Sequence, residues 1–230
     1  MKIFDFGKNS YSLGTLFKFD CISPSIVTAI VSRLALEKKL FTEIAKDDNT
    51  GETVLTMGNG TEQAPLHQLR IDANEVNLWA GWFVAFDSYQ KWRNNLLPEL
   101  ALVLRDLHPG MVQAVASQAS FGVLEGKTRK PDDVPESAQL LGFYRRFIPE
   151  SLLKRGKGSF MGGDEDGKRS IELTISPGIS PIQLLVTYTV RNHILDTSAS
   201  LEQNFVNHAN FADEMIQALN DRLLSLFIEP

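Results

Sequence analysis

Residues 67–86 read HQLRIDANEVNLWAGWFVAF, and the order of polar and apolar residues in this stretch decides the fold class. Apolar and polar residues alternate over residues 67–74, which predicts an antiparallel strand with one solvent-exposed face. From Val76 to Phe86, both sets of alternating positions are largely apolar. We therefore expect a second strand that a helix layer or another subunit covers on both sides.

The same period of two recurs along the rest of the chain. Further strands are predicted over residues 13–19, 52–57, 111–125, 140–148, 171–175 and 182–190. The last two should pair as antiparallel neighbours. Turn-forming residues at 47–51 and 162–167 predict hairpin turns between flanking strands.

Helix start signals stand at two further places. Ser23 is typical of an N-cap and Pro24 of the first helical position, which predicts a helix over residues 24–41. Ser200 and Gln203 form a capping-box pair that begins a terminal helix, which ends near residue 227. Both segments carry apolar residues at helical spacing and should pack against the sheet.

The remaining helix follows the aromatic stretch. Asp87 or Ser88 would cap it, and apolar residues recur every three or four positions as far as residue 107. Pro98 falls inside this pattern and should kink the helix or begin a new one. His208 lies on the apolar stripe of the terminal helix, where a hydrogen-bonded core histidine is favoured over a metal ligand.

Together these elements predict an α+β fold of mostly antiparallel sheet with three long helices. Residues 1–109 and 110–230 would form N-terminal and C-terminal α+β halves, packed together as one unit. Each half runs from strands into a closing helix, which raises the hypothesis that the two halves are similar.

Bulk composition narrows the class of protein. The 230 residues carry a net charge of −5, which argues against a surface built entirely for nucleic acid or anionic lipid. The start of the sequence lacks the apolar run of a secretory signal, and no apolar run is long enough to cross a membrane. The single cysteine, Cys21, forms no internal disulfide. We expect a cytoplasmic protein without a membrane partner.

Several common catalytic motifs are excluded. Gly122 and Gly126 precede Lys127-Thr128, but three residues separate the glycines where a phosphate-binding loop needs four. The histidines are too scattered for a zinc site. The acidic residues 164–166 lack the spacing of a calcium loop. The sequence therefore predicts no cofactor and no metal.

Two residues leave a weak catalytic alternative open. His193 and Asp196 follow the strand at 182–190 and could face each other as an acid–base pair in an uncharacterised hydrolase. A polar turn that orients the last helix is the favoured interpretation, and a non-enzymatic protein is favoured overall.

Residues 127–170 form the basic part of the chain, with ten Lys or Arg against seven Asp or Glu. Five cations could contact an anion or nucleic acid: Arg145, Arg146, Lys154, Arg155 and Lys157. Aromatic residues are interleaved with them, as in surfaces on which single-stranded nucleic acid stacks. The alternative is an edge strand that its charges protect from aggregation.

Trp79 and Phe83 could form a different kind of contact. Most of the aromatic residues between Trp79 and Trp92 should be core. If the Trp79 and Phe83 face is exposed in the monomer, it is a candidate subunit or partner interface.

Part of the chain resembles a sporadically distributed family of uncharacterised bacterial proteins. The resemblance lies in the aromatic stretch and Tyr-x-x-Trp helix of residues 82–92, the strand pair at 170–190, and Asp196 before a helix that finishes with residues 223–228. The family has no established activity, so the resemblance transfers no catalytic residue and implies a bacterial interaction protein.

The leading hypothesis is an intracellular, non-enzymatic binding or assembly protein that self-associates through the aromatic strand region. The first alternative is a nucleic-acid-binding accessory protein that uses residues 127–170, for example in a bacterial defence or mobile-element system. The hydrolase around His193 and Asp196 comes third.

Overall fold

The computed structural model describes residues 12–48, 50–81, 84–105, 112–124, 158–177, 183–192 and 195–225. Within these ranges the chain forms one large antiparallel sheet of nine strands, together with helices. The prediction of an α+β fold with a mostly antiparallel sheet is confirmed. The predicted strand at 140–148 lies outside the described residues.

The strands are β1 (Ser12–Phe19), β2 (Glu43–Lys46), β3 (Thr53–Met57), β4 (His67–Ile71), β5 (Glu75–Ala80), β6 (Val112–Leu124), β7 (Gly158–Gly163), β8 (Arg169–Pro177) and β9 (Gln183–Asn192). The helices are α1 (Pro24–Val31), α2 (Phe86–Leu104) and α3 (Leu201–Ser225). A π-helical segment, Ser32–Glu37, continues α1.

The strands lie in the order β2-β3-β4-β5-β1-β6-β9-β8-β7. The first strand therefore sits near the centre, where β1 pairs with β5 on one side and with β6 on the other. Through the β1–β6 pair, the sheet runs without a break from residues before position 109 to residues after it.

One face of the sheet carries the core. Along β1, the alternating residues Leu13, Thr15, Phe17 and Phe19 are buried, and their neighbours in sequence point to the opposite face. All three helices contribute to the core on this helix-covered face. Phe17 packs against Phe205 of α3 with ring centroids 4.3 Å apart.

The first helix is shorter than the sequence predicted. Regular α-helix ends at Val31 after 8 residues, and the π-helical segment ends at Glu37 rather than near residue 41. Ser23 occupies the N-cap position, but its hydroxyl contacts the Ser25 hydroxyl instead of capping the helix. The prediction of three long helices holds only for α2 (19 residues) and α3 (25 residues).

The boundary between β5 and α2 also differs. The predicted strand over residues 76–86 ends at Ala80, and Phe86 is already the first residue of α2. Ala85 is the N-cap, so Asp87 and Ser88 lie in the first turn rather than before it. Asp87 still favours the helix there, because its charge opposes the positive end of the helix dipole.

Pro98 neither ends α2 nor begins a second helix, since α2 runs unbroken past it. Leu96, Leu97, Leu100 and Ala101 are buried on both sides of the proline. Their packing against the sheet offsets the hydrogen bond that the proline cannot donate.

Candidate ligand-binding site

The face of the sheet opposite the helices is the open face. Glu75, Asn77 and Trp79 point to it from β5, while Val76 and Leu78 are buried on the helix-covered face. The prediction that both faces of this strand are apolar is therefore wrong, and no described helix covers the second face; cover by another subunit stays a prediction. The strand has one apolar face and one polar face, and Trp79 belongs to the polar one.

A trough of about 490 Å³ runs over the centre of the open face, along the junction of β1 and β6. Small or aliphatic residues form its floor: Gly14, Leu16, Ala114 and Ala116. Longer side chains form its two walls: Asn77 and Trp79 on β5, and Thr189 and Arg191 on β9. Ser12, Lys18 and Gln118 complete the lining.

Strand register places four of these residues in one row across the sheet. Trp79 lies opposite Gly14, Gly14 opposite Gln118, and Gln118 opposite Thr189. Because Gly14 has no side chain, the row has a gap between the indole and the Gln118 amide. Neighbouring strands are spaced by about 4.8 Å, so the Cα atoms of Trp79 and Gln118 are roughly 10 Å apart.

Trp79 is held in place by three neighbours. Its indole N–H donates to the Ser12 hydroxyl at 2.9 Å, and the Arg70 guanidinium lies 5.7 Å from the ring centroid. The outer edge of the ring lies over Gly81, where an added Cβ would be 2.8 Å from Cη2 of the indole. A ring fixed in this way loses little conformational entropy when a ligand stacks on it.

Cationic side chains flank the trough. Lys18 pairs with Glu75 at 3.2 Å, and Arg191 pairs with Glu172 at 2.9 Å. Arg70, next to Trp79, donates two hydrogen bonds to the neutral amide oxygen of Gln68, at 3.1 and 2.9 Å. The lining itself contains Lys18 and Arg191 and no carboxylate.

Glu172 stays ionised under this arrangement. Hydrogen bonds from the Ser159 hydroxyl and from Arg191 lower the pKa of its carboxyl group. The trough therefore combines hydrogen-bonding amides and hydroxyls, a fixed aromatic ring, and two cations that each pair with a carboxylate outside the lining. This chemistry suits binding of a polar ligand that carries a flat ring.

A second polar cluster lies on the helix-covered face and links both ends of the chain. Thr15 of β1 contacts the Tyr89 hydroxyl at 2.9 Å and the Ser117 hydroxyl at 3.1 Å. Ser117 in turn contacts Nε2 of His208 at 3.0 Å. All four side chains are buried. The prediction that His208 is a hydrogen-bonded core histidine is confirmed.

This buried cluster offers no catalytic Ser–His pair. Burial, reinforced by the nearby charges of Arg93 and Arg169, lowers the pKa of His208 to about 3, so its ring is a weak base. Burial also raises the pKa of Tyr89 to about 12. The cluster lies across the sheet from the trough, and its contacts fix how α2 and α3 sit on β1 and β6.

Of the predicted acid–base pair, Asp196 lies in the described residues and His193 lies outside them. The carboxylate of Asp196 accepts hydrogen bonds from the backbone N–H and the hydroxyl of Ser198, at 2.9 and 2.6 Å, and these contacts lower its pKa. Asn204 of α3 bonds the backbone of Asp196, so Asp196 belongs to the polar turn that leads into the last helix.

Apart from Trp79, the other predicted site residues lie outside the described residues. Phe83, the partner predicted for Trp79, lies outside the described residues. So does the basic set Arg145, Arg146, Lys154, Arg155 and Lys157. Sequence reasoning missed Lys18, Arg70 and Arg191, because only the strand register brings them to one surface. The sequence signal that could have found them is the set of polar residues at alternating strand positions, which marks the face of the sheet opposite the core.

No group of three or more His, Cys, Asp or Glu side chains in the described ranges is placed to hold a metal ion. No helix there is both long and apolar enough to span a membrane. In the part of the chain that the structure describes, the protein is an antiparallel sheet with helices on one face and a hollow of about 490 Å³ on the other. No family model, curated protein or solved structure gave a significant match to the chain. The resemblance to a bacterial family stays a prediction.

Proposed function

We propose that this protein binds single-stranded nucleic acid on the open face of its sheet and performs no chemistry of its own. The observation that carries the proposal is the trough lining, which holds a fixed indole and two cations; the carboxylates that pair with these cations, Glu75 and Glu172, lie outside the lining. Single-stranded nucleic acid is bound in general by aromatic rings that stack on bases and by cations that contact phosphates.

The dimensions support an extended ligand. The trough follows β1 from Ser12 to Lys18, which at about 3.3 Å per residue is roughly 20 Å. A trough of this length suits an extended ligand. Across it, Trp79 and Asn77 face Thr189 and Arg191 over a floor of small side chains.

The composition of the trough weighs against an apolar protein partner. Leu16 is the one branched aliphatic residue in the lining, and most of the remaining residues are polar or very small. Stable subunit interfaces bury apolar cores flanked by polar rims. Self-association through Trp79 is therefore the weaker hypothesis for this face.

Fluorescence anisotropy tests the proposal, with labelled single-stranded DNA and RNA of about 12 nucleotides, a length within known site sizes. If Lys18, Arg70 and Arg191 each contact one phosphate, the logarithm of the binding constant should fall with the logarithm of salt concentration at a slope of about −2. A double-stranded competitor should displace the probe poorly.

Charge-removing variants locate the contact. Lys18→Gln and Arg70→Gln should each weaken binding and reduce the slope by about 0.7. Lys91→Gln is the matched control, because Lys91 is an exposed cation on α2, on the other side of the sheet. Absence of binding, or equal effects of all three substitutions, would overturn the proposal. Light scattering at several concentrations would detect a dimer that uses this face instead.

The basic residues 127–170 are the second candidate contact, since this part of the chain includes the connection between β6 and β7 of the same sheet. Reversing Arg145, Arg146, Arg155 and Lys157 to Glu tests them separately. Retained binding in that variant, with loss in Arg70→Gln, would assign the contact to the trough alone.

The order of strands also supports the proposal that the two halves are related. In each half, the first strand (β1 or β6) pairs with the last strand before the closing helix (β5 or β9). The remaining strands lie progressively further from the centre of the sheet, in the order β4, β3, β2 in one half and β8, β7 in the other. The trough would lie where the two related halves meet.

A further inference from the structure

We infer that the row Trp79–Gly14–Gln118 is a base-reading pocket within this trough, and that it prefers adenine. The inference rests on the proposed function and names what the central part of the trough recognises. Gly14, Trp79 and the two amides that line the pocket carry it.

The backbone conformation at position 14 does not require a glycine. Its φ is not positive, unlike that of Gly51, Gly58, Gly60 and Gly167, and the register shift in β1 occurs at Lys18/Phe19, away from Gly14. A Cβ atom added to it would come no closer than 3.4 Å to any neighbour, the Leu78 carbonyl oxygen.

A glycine inside a strand weakens that strand, and it commonly marks a place where a ligand or another backbone approaches closely. Here the missing side chain leaves space between Trp79 and Gln118 in the row, next to the Asn77 amide, whose Oδ1 would lie 3.7 Å from a Cβ at position 14. A flat ring placed there would lie beside the indole, with the Gln118 amide across the gap.

The competing explanation for Gly14 is structural, because an aromatic residue opposite a strand glycine can cover the exposed backbone. The two explanations differ in what a side chain at position 14 would do. If Trp79 only covers the glycine, a β-branched residue there changes stability and leaves binding alone. If a base occupies the gap, the same residue blocks binding.

The amides of the pocket are available to a ligand. Within the described residues, no hydrogen bond engages the side-chain amide of Asn77 or Gln118, and both line the trough. A primary amide offers one donor and one acceptor side by side, which matches the N6–H and N7 groups of adenine. Guanine presents two acceptors on that edge and is better matched by Arg or Lys. Purines also cover more of an indole ring than pyrimidines do.

The experiment compares binding of labelled oligo(dA) and oligo(dT) of about 12 nucleotides to the full chain and to three variants. The wild-type protein should bind oligo(dA) about ten-fold more tightly, the discrimination expected of one good bidentate pair. Gln118→Leu should bring oligo(dA) down to the oligo(dT) affinity and leave oligo(dT) unchanged.

Gly14→Val should weaken binding of oligo(dA) by about ten-fold, the loss of one stacked base. Its melting temperature should stay the same or rise, because valine favours strands. Gly162→Val is the matched control, since Gly162 is also a strand glycine, an added Cβ there meets nothing within 4 Å, and the residue is not part of the trough.

The outcomes distinguish failure of the base-reading pocket from failure of the proposed function. Equal binding of oligo(dA) and oligo(dT), or full binding by Gly14→Val, overturns the base-reading pocket and leaves the nucleic-acid surface standing. Loss of all oligonucleotide binding in the wild-type protein overturns the proposed function itself. Preference for oligo(dA) that survives Gln118→Leu would overturn the role of this amide.

Discussion

Arg93 of α2 and Asp213 of α3 form a bidentate ion pair, with Nη1–Oδ1 at 2.9 Å and Nη2–Oδ2 at 2.6 Å. The Arg93 side chain is 1% exposed and that of Asp213 is 15% exposed. The guanidinium also donates to the Asn94 amide oxygen and lies 5.6 Å from the centroid of the Tyr89 ring. This pair joins α2 to α3.

Removing one partner of this pair should destabilise the fold strongly. Asp213→Asn leaves a buried guanidinium without its counter-charge, and such losses typically cost about 3–5 kcal/mol of unfolding free energy. Urea denaturation measures this loss of unfolding free energy. The double variant Arg93→Met, Asp213→Leu should recover most of the loss, because no charge then remains buried.

A pair whose cation is partly exposed supplies the control for that prediction. Arg33 and Glu99 bond at 2.7 Å between the π-helical segment and α2, where the Arg33 side chain is 32% exposed and that of Glu99 is 19% exposed. Glu99→Gln should change the unfolding free energy by less than about 1 kcal/mol. Comparable losses in Asp213→Asn and Glu99→Gln would contradict the buried character of the Arg93–Asp213 pair.

His208 should make stability depend on pH. The folded state holds its pKa at about 3, against an ordinary value of 6.5, so between these values the unfolded chain binds a proton that the folded chain does not. Stability is therefore full above about pH 6.5 and falls as the pH drops, with a limiting slope of about 1.4 kcal/mol per pH unit for one proton. Burial lowers the pKa of His67 as well, and the sign of its contribution is the same.

Denaturation between about pH 5 and pH 7 isolates the histidines, because carboxyl groups titrate below that range. The variant His208→Gln keeps a hydrogen-bonding group beside Ser117 and removes the titration, so its stability should vary less with pH. His67→Gln is the comparison, with a smaller change expected. Identical slopes in wild type and His208→Gln would rule out a buried neutral His208.

Sequence patterns predicted those elements whose residues satisfy one rule along a continuous stretch. The alternation in 13–19 and 67–71 corresponds to β1 and β4, and the turn formers at 47–51 connect β2 to β3. At the terminal helix, the backbone N–H of Gln203 donates to the Ser200 hydroxyl at 3.1 Å, as expected of an N-cap. In each case the physical cause is local and the sequence contains it.

The end of β5 could not be predicted from periodicity alone. Val84 and Phe86 are buried, as the pattern required, but they lie in the connection and first helical turn rather than on a strand. A run of aromatic residues fits either structure, and tertiary packing decides between them. The sequence signal for the end of β5 was Gly81, because its lack of a side chain makes room for the Trp79 ring.

The trough could not be predicted for a different reason. Its walls lie on β5 and β9, more than 100 positions apart in the sequence. Only the register that places Trp79 beside Gly14, and Gly14 beside Gln118, defines the gap. The sequence did single out Trp79, but as part of an apolar contact rather than as the aromatic member of a polar surface.

Two turn glycines should respond very differently to alanine. Gly51 and Gly58 both have positive φ, 74° and 81°, so alanine is strained at either position by about 1 kcal/mol. At Gly51 an added Cβ meets nothing within 4 Å, whereas at Gly58 it would collide with the Pro65 carbonyl oxygen. Gly58→Ala should therefore cost about 2 kcal/mol more than Gly51→Ala in urea denaturation. Equal costs would mean that the loop before β4 can move away from Gly58.

Trp79 should report directly on ligand binding through its fluorescence. The chain has three tryptophans, and Trp79 lines the trough while Trp92 packs against the core on the helix-covered face. If a base stacks on Trp79, single-stranded DNA should quench part of the emission, and Trp79→Phe should abolish that quenching. Trp92→Phe is the matched control, because it removes an indole from the opposite face and should leave the quenching intact.

The affinity of the same variants completes this test. Trp79→Ala should weaken binding by about ten-fold or more, since one base–aromatic stack contributes about 1–3 kcal/mol. Trp79→Phe keeps a ring but loses the hydrogen bond to Ser12, so its affinity should lie between those of wild type and Trp79→Ala. Quenching that persists in Trp79→Phe and disappears in Trp92→Phe would place the ligand on the other side of the sheet, away from the trough.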